Sequence, residues 1–376
     1  MDSVNAYYNG NTGIQISRYS STDLYEDWPK YNTILNCTSY GNADAGFEDA
    51  DGFAAKLTVG EGNVFDGCIA HHNADDGWDL YAKVQTGMIG SVTIRNCVAY
   101  ANGYLEDGTL AGNGNGFKLG GESLSGKHVL ENCVVYDNKN KGIDSNSCQD
   151  IIVKNCISFN NGSYNVALYT NTATNTDFDV NGVISLRYDA NETNYTMGET
   201  IKLKGTQDEA KVYSGVNYYW NTDTKQSMNN GGNVVLADWF ASLDTSILQT
   251  RNADGTINMN GLFGFTDKAP EEVKGFGIGT GVASEVSVIP ASVSEDDILA
   301  AKKPGSAEAT PTPAPEVTKA PETTQEPEVT KAPDVDTDVD AETKPSVVPV
   351  IVIVLVVLAA IAGAVIFVKK KNQAKK

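Results

Sequence analysis

One pattern recurs along the first half of the chain and leaves few folds open to it. The segments NCTSYGNADAGFE, GCIAHHNADDGWDL, NCVAYANG, NCVVYDNKNKGIDS and NCISFNNGSYNVAL share a single frame. Cys37, Cys68, Cys97, Cys133 and Cys156 hold one place, and Asn42, Asn73, Asn102, Asn138 and Asn161 each follow five residues later. Gly46, Gly77 and Gly142 fall nine residues after their cysteines. Val4, Asn9, Gly13 and Ile14 open the series with Val in the Cys place. The starts at 4, 37, 68, 97, 133 and 156 lie 33, 31, 29, 36 and 23 residues apart. Each unit carries short alternating apolar runs, such as SVTIRNCVAY and DIIVKNCISF, broken by Gly and Asn. Strand-rich units of about 20–35 residues without a helix are coils of a solenoid. The chain is therefore expected to be all-β, a parallel β-helix in which unequal spacings are loops at one corner. Stacked coils put equivalent residues ~4.8 Å apart, so the asparagines should form a hydrogen-bonded ladder. The cysteines read as small buried side chains stacked on one interior strand, with disulfides the lesser alternative for an exported protein. Cys148 stands outside the pattern.

Composition sets the location. The 376 residues include 36 glycines and carry a formal charge of -20, which argues against nucleic acid and anionic membrane surfaces as partners. Residues 347–368 are apolar and uncharged, long enough to cross a bilayer as one transmembrane helix, and Lys369, Lys370, Lys371, Lys375 and Lys376 follow as a basic cytoplasmic tail (369–376). Residues 291–346, rich in Pro, Thr and acid, read as a disordered stalk. The body, with coils over 1–170 and a C-terminal cap over 171–290, is then expected on the extracellular face of a bacterial cell membrane. The opening MDSVNAYYNG has neither a charged n-region nor an apolar h-region and falls inside a coil. A signal peptide and further coils are expected ahead of it.

One column beside the core carries charge. In each coil the residue after the first apolar one that follows the glycine gives Gln15, Glu48 or Ala54, Asp79, Lys118, Asp144 and Ala167. Strand side chains alternate faces. With Ile14/Ile16, Trp78/Leu80, Phe117/Leu119 and Val166/Leu168 pointing inward, Asp79, Lys118 and Asp144 point outward from neighbouring coils. If DGFAAK (51–56) matches DGWDLY (76–81), Asp51 lies one coil below Asp76. Asp51, Asp75, Asp76 and Asp79 then converge, at a repulsive cost of ~1 kcal/mol or more per pair. A divalent cation removes that cost. Oxygen ligands, turn geometry and an exported location favour Ca2+ over Zn2+ or Mg2+. Lys118 stands among Gly112, Gly114, Gly116, Gly120 and Gly121, which leave it open to a close-approaching ligand.

The stretches ADGFAAKLTVGEGNVFDGCIAHHNADDGWDLYAK (50–83) and GNGNGFKLGG (112–121) resemble polysaccharide lyase family nine, the β-helical pectate lyases. SGVNYYW (214–220), VVLADWFASLD (234–244), NADGTI (252–257) and LFGF (262–265) extend the likeness to residues 1–270 or so. The resemblance implies a right-handed, single-stranded solenoid, Ca2+ held by Asp51, Asp75, Asp76 and Asp79, and Lys118 as catalytic base. It implies β-elimination of α-1,4-polygalacturonate to 4,5-unsaturated oligogalacturonides. A lysine base, which titrates near ~10.4, predicts an alkaline optimum, and a monomer is expected. Arg18, Lys56, Lys83, Lys139, Lys141 and Asp144 are candidate substrate-binding residues. Residues 191–211 read as an insertion relative to the family. The rival reading is a non-catalytic β-helical adhesin or glycan-binding protein whose aspartates hold a structural calcium. A β-helical glycoside hydrolase would need paired carboxylates and water, which a central lysine does not suit.

Overall fold

In the computed structural model, residues 1–188 and 196–278 are described. Strands Ile14–Ile16, Phe53–Ala55, Trp78–Asp79, Phe117–Lys118, Ile143–Asp144, Val166–Leu168 and Thr200–Ile201 form one parallel sheet, one strand per coil. Its register runs Ile14, Phe53, Trp78, Phe117, Ile143, Val166. That order settles the Glu48-or-Ala54 choice: Ala54 pairs with both Gln15 and Asp79. A second, thirteen-stranded sheet joins two rows of strands through Ile152–Phe159, which pairs with both rows.

The corners explain why Asn and Gly keep their places. Ser3, Asn36, Gly67, Asn96, Asn132 and Asn155, each one residue before the Val/Cys position, all have φ between +51° and +64°. A left-handed backbone costs ordinary L-residues ~1–2 kcal/mol, and Gly or Asn least. The Asn ladder lies one residue past a second such corner. Asn9 donates to Asn42, Asn42 to Asn73, Asn73 to Asn102, Asn102 to Asn138 and Asn138 to Asn161, all at 2.8–2.9 Å. The cysteines are free and buried, stacked as small interior side chains. Phe53, Trp78 and Phe117 stack beside them, with centroids 4.6 and 4.9 Å apart. Asn102→Ala would strip a fully buried residue from the ladder and leave the amides of Asn73 and Asn138 short of partners. A loss of about 1–3 kcal/mol in urea unfolding is expected.

Two expectations need correction. The coils run on past residue 170: Asp179–Leu186 pairs with Ile152–Phe159, and Val183 stands beside Cys156. Thr200–Ile201 then extends the first sheet, so the described part of 191–211 contributes a strand to the coils. The segment beyond is also more than an end cap. Asn217–Asn221 does add to Asp179–Leu186, but the chain then lies along the outer face of the large sheet. Arg251 donates to the carbonyls of Gly67 and Cys37, and Phe263 packs on Tyr136 and Phe159. Ile69, Val98, Val134, Ile157 and Ile184 form an outward apolar stripe, which Trp239, Phe240, Leu262 and Phe276 cover. An apolar sheet face needs a second layer. Among the described residues no helix is long and apolar enough to cross a membrane. The expected stalk (291–346), span (347–368) and tail (369–376), and residues 279–290 of the expected cap, lie outside them.

Candidate active site

The charged column forms as its alternation dictates. Lys118 pairs in register with Asp79 on one side and Asp144 on the other. Asp51 sits beneath Asp76, whose N–H donates to Asp51 Oδ1 at 3.3 Å. These side chains point away from the core yet are not solvated. Asp51, Asp75, Asp76 and Asp79 are at most 3% exposed. A loop 38 and 39 residues past Asp75 and Asp76 folds over these two. Asn113 N–H donates to Asp75 Oδ1 at 2.8 Å, and Asn115 donates to Asp76 Oδ1 through N–H and Nδ2, also at 2.8 Å. Gly112 lets that loop close: a Cβ there would lie 1.7 Å from the carbonyl oxygen of Phe47.

Asp51, Asp75 and Asp76 each aim a carboxylate oxygen into one spot, all within 4.8 Å of one another. Asp79 stands apart from this trio because two lysines hold it. Lys56 Nζ lies 3.2 Å from Asp79 Oδ2 and 2.9 Å from Asp51 Oδ2. Lys118 Nζ lies 3.5 Å from Asp79 Oδ1 and 3.1 Å from Asp76 Oδ2. That Asp76 oxygen is buried and receives no hydrogen bond, so the Lys118 contact is an ion pair without hydrogen-bond geometry.

Electrostatics follow from burial and crowding. Burial, with Asp79 and Asp76 adding to it and Lys56 opposing, pushes the Asp51 carboxyl up to about 7. Burial and the neighbouring Asp76 and Asp51 push Asp75 to about 9. For Asp79 burial acts upward too, but Lys118 and Lys56 prevail and hold it below the usual carboxylate value. Burial alone would lower Lys118, yet the aspartates, Asp76 foremost, hold its ammonium well above the ordinary lysine value. Four carboxylates against two ammoniums leave two negative charges when all are ionised. A buried excess of that sign, an all-oxygen donor set and an Asp76 oxygen without a donor fit a hard divalent cation.

The remaining candidates divide. Lys141 Nζ pairs with the fully buried Asp144 at 2.6 Å and lies 5.5 Å over the Tyr169 ring. Lys139 donates to the carbonyls of Ala111 and Gly112, which braces the covering loop. Arg18 is half-buried beside Thr58, on which its N–H bonds, and Lys83 opens the turn closed by Thr86 and Gly87. The sequence reading missed Asn113 and Asn115, which steady Asp75 and Asp76, and Tyr81, whose ring lies 5.7 Å from Lys118 Nζ. The Asn-Gly alternation of 112–116 was the available signal for the first two.

Residues 1–181 match the profile described as Pel9A-like, right handed beta helix region. Over these residues the chain is similar to the Pel9A-like right-handed β-helix family. Every residue of the acidic cluster, and Lys118, lies inside the Pel9A-like region. The chain is 49% identical over 180 residues to pectate lyase L of Thermoclostridium stercorarium, covering 48% of this chain and 14% of that one. It is 42% identical over 264 residues to pectate lyase L of Paenibacillus polymyxa (strain SC2), covering 69% and 54% respectively. It thus spans little more than half of one relative and a small part of the other. The crystal structure of pectate lyase Pel9A superposes with a TM-score of 0.52 at 29% identity, covering 71% of this chain and 58% of that one.

Proposed function

We propose that this chain is a calcium-dependent pectate lyase that cleaves α-1,4-polygalacturonate by β-elimination, acting as a monomer at the cell surface. The observation that carries the reading is the lysine amine 3.1 Å from one aspartate of a buried acidic trio, on a shared outward face. The relatives named pectate lyase L supply the substrate class. Calcium held by Asp51, Asp75, Asp76 and Asp79 would bind the uronate carboxylate and stabilise the charge that grows on it. Lys118 Nζ accepts the C5 proton. The C5–H electron pair forms the C4–C5 double bond, and the C4–O4 bond breaks with its pair on the departing oxygen, which takes a proton from solvent. Asp144, in register beside Lys118 and paired with Lys141, would serve substrate binding next to the base. The stalk and apolar run of the sequence would hold this body outside the membrane.

Incubation with polygalacturonate and Ca2+ tests the reading. Ultraviolet absorbance from the conjugated 4,5-unsaturated product, abolished by EDTA, supports it. Reducing ends without absorbance would mean hydrolysis, and binding without either would mean an adhesin. Lys118 must be neutral to accept a proton, and lysine ordinarily titrates near ~10.4. With carboxylates holding the ammonium, the rate should climb with pH well into the alkaline range. A kcat/KM profile that peaks at or below neutrality would remove Lys118 from the role of base.

A further inference from the structure

We infer that Lys56 is a built-in counter-cation, competing with the divalent ion for Asp51 and Asp79 and so setting calcium affinity. The inference rests on the reading of the acidic cluster as a calcium site. Lys56 directly follows Phe53–Ala55, one coil below Trp78–Asp79, and its ammonium bridges carboxylates of both coils. The partners differ in freedom. The side chains of Asp51 and Asp79 are 0% and 4% exposed, while that of Lys56 is 15% exposed. Lys56 is the most exposed of the three side chains, and its ammonium rides on a flexible four-carbon stem, so it is the member able to move.

Its present contacts use the oxygens a cation needs. Asp51 Oδ2 is shared between Lys56 and the Thr12 hydroxyl at 3.2 Å, and Asp79 Oδ2 is taken by Lys56. Asp79 accordingly stands outside the trio that already converges. An ammonium and a divalent ion cannot sit on the same two carboxylates without strong repulsion in a site this dry. Binding of the ion therefore displaces the ammonium from Asp51 and Asp79. In the cation-free protein the same ammonium offsets part of the aspartate charge and lets the cluster stay folded. Lys118 cannot serve this purpose for Asp51, since its contacts are Asp76 and Asp79.

Calcium titration by calorimetry, without polysaccharide, tests the role. Lys56→Met should bind Ca2+ at least about fivefold tighter than wild type, the lower end of common couplings between sites. It should also melt at lower temperature in EDTA. Lys56→Arg, which keeps the charge, should stay close to wild type in both. Affinity in Lys56→Met that is unchanged or weaker overturns the inference. If that variant unfolds in EDTA, Lys56→Gln and the calcium concentration that refolds each variant give the same comparison. Asp75→Asn separates this inference from its premise. Lost calcium binding there, with unchanged affinity in Lys56→Met, rejects the counter-cation alone. Calcium binding that survives Asp75→Asn rejects the calcium site itself.

Discussion

Lys118→Ala should reduce the release of unsaturated product by about 10²–10⁴-fold, the range a positioned general base contributes, while the coils stay folded. The variant removes a side chain that is 16% exposed, at the end of a two-residue strand whose backbone pairs on both sides. Its fold rests on Phe117, which packs inward on Trp78 and is untouched. Truncation should tighten calcium binding rather than weaken it, because Asp76 and Asp79 each lose an ammonium. That pairing of lost turnover with retained or tighter calcium binding separates a base from a structural residue. A structural lysine would lose stability and calcium affinity together. Measured kcat, calcium affinity and melting temperature on one preparation decide it, and near-wild-type turnover would end the assignment.

How much of this was legible in advance depended on whether a signal was periodic. The column Asp79–Lys118–Asp144 could be read because strands alternate faces and each coil repeats the Asn and Gly corners. Once Phe53 aligned with Trp78, the place of Asp51 followed. Burial of the aspartates was not legible. It depends on Asn113 and Asn115, 38 and 39 residues from their acceptors, in a loop outside the repeat. Nor could the partition of the lysines be read. Lys56, Lys139 and Lys141 look alike as surface charges, yet one enters the acidic cluster, one braces a loop and one pairs with Asp144. The lateral layer left a trace that was passed over. Ile69-Ala70, Val98-Ala99 and Val134-Val135 are consecutive buried pairs, the mark of strands covered on both faces.

Calcium binding at neutral pH should expel protons, and the number expelled should fall away as pH rises. Without the ion, Asp75 is held up at about 9 and Asp51 at about 7, first by burial and then by mutual repulsion. At pH 7 Asp75 thus keeps its proton and Asp51 keeps about half of one. A divalent ion binds only the carboxylates, so both protons must leave on binding. Calorimetry in buffers of different ionisation enthalpy should find about one to two protons released near pH 7 and almost none above the Asp75 value. Stability must follow the same sign. A carboxyl whose folded value lies above its unfolded value of ~3.9 favours the folded state at low pH and loses that contribution as pH climbs through the folded value. In EDTA the melting temperature should therefore fall steadily between about pH 5 and pH 9, and saturating calcium should remove most of that slope. Asp75→Asn carries no proton to lose, so its cation-free melting curve should be much flatter over this window, with calcium adding little. A wild-type protein in EDTA that grows more stable as pH rises would mean the aspartates are already compensated by their lysines, and the drive for cation binding would be absent.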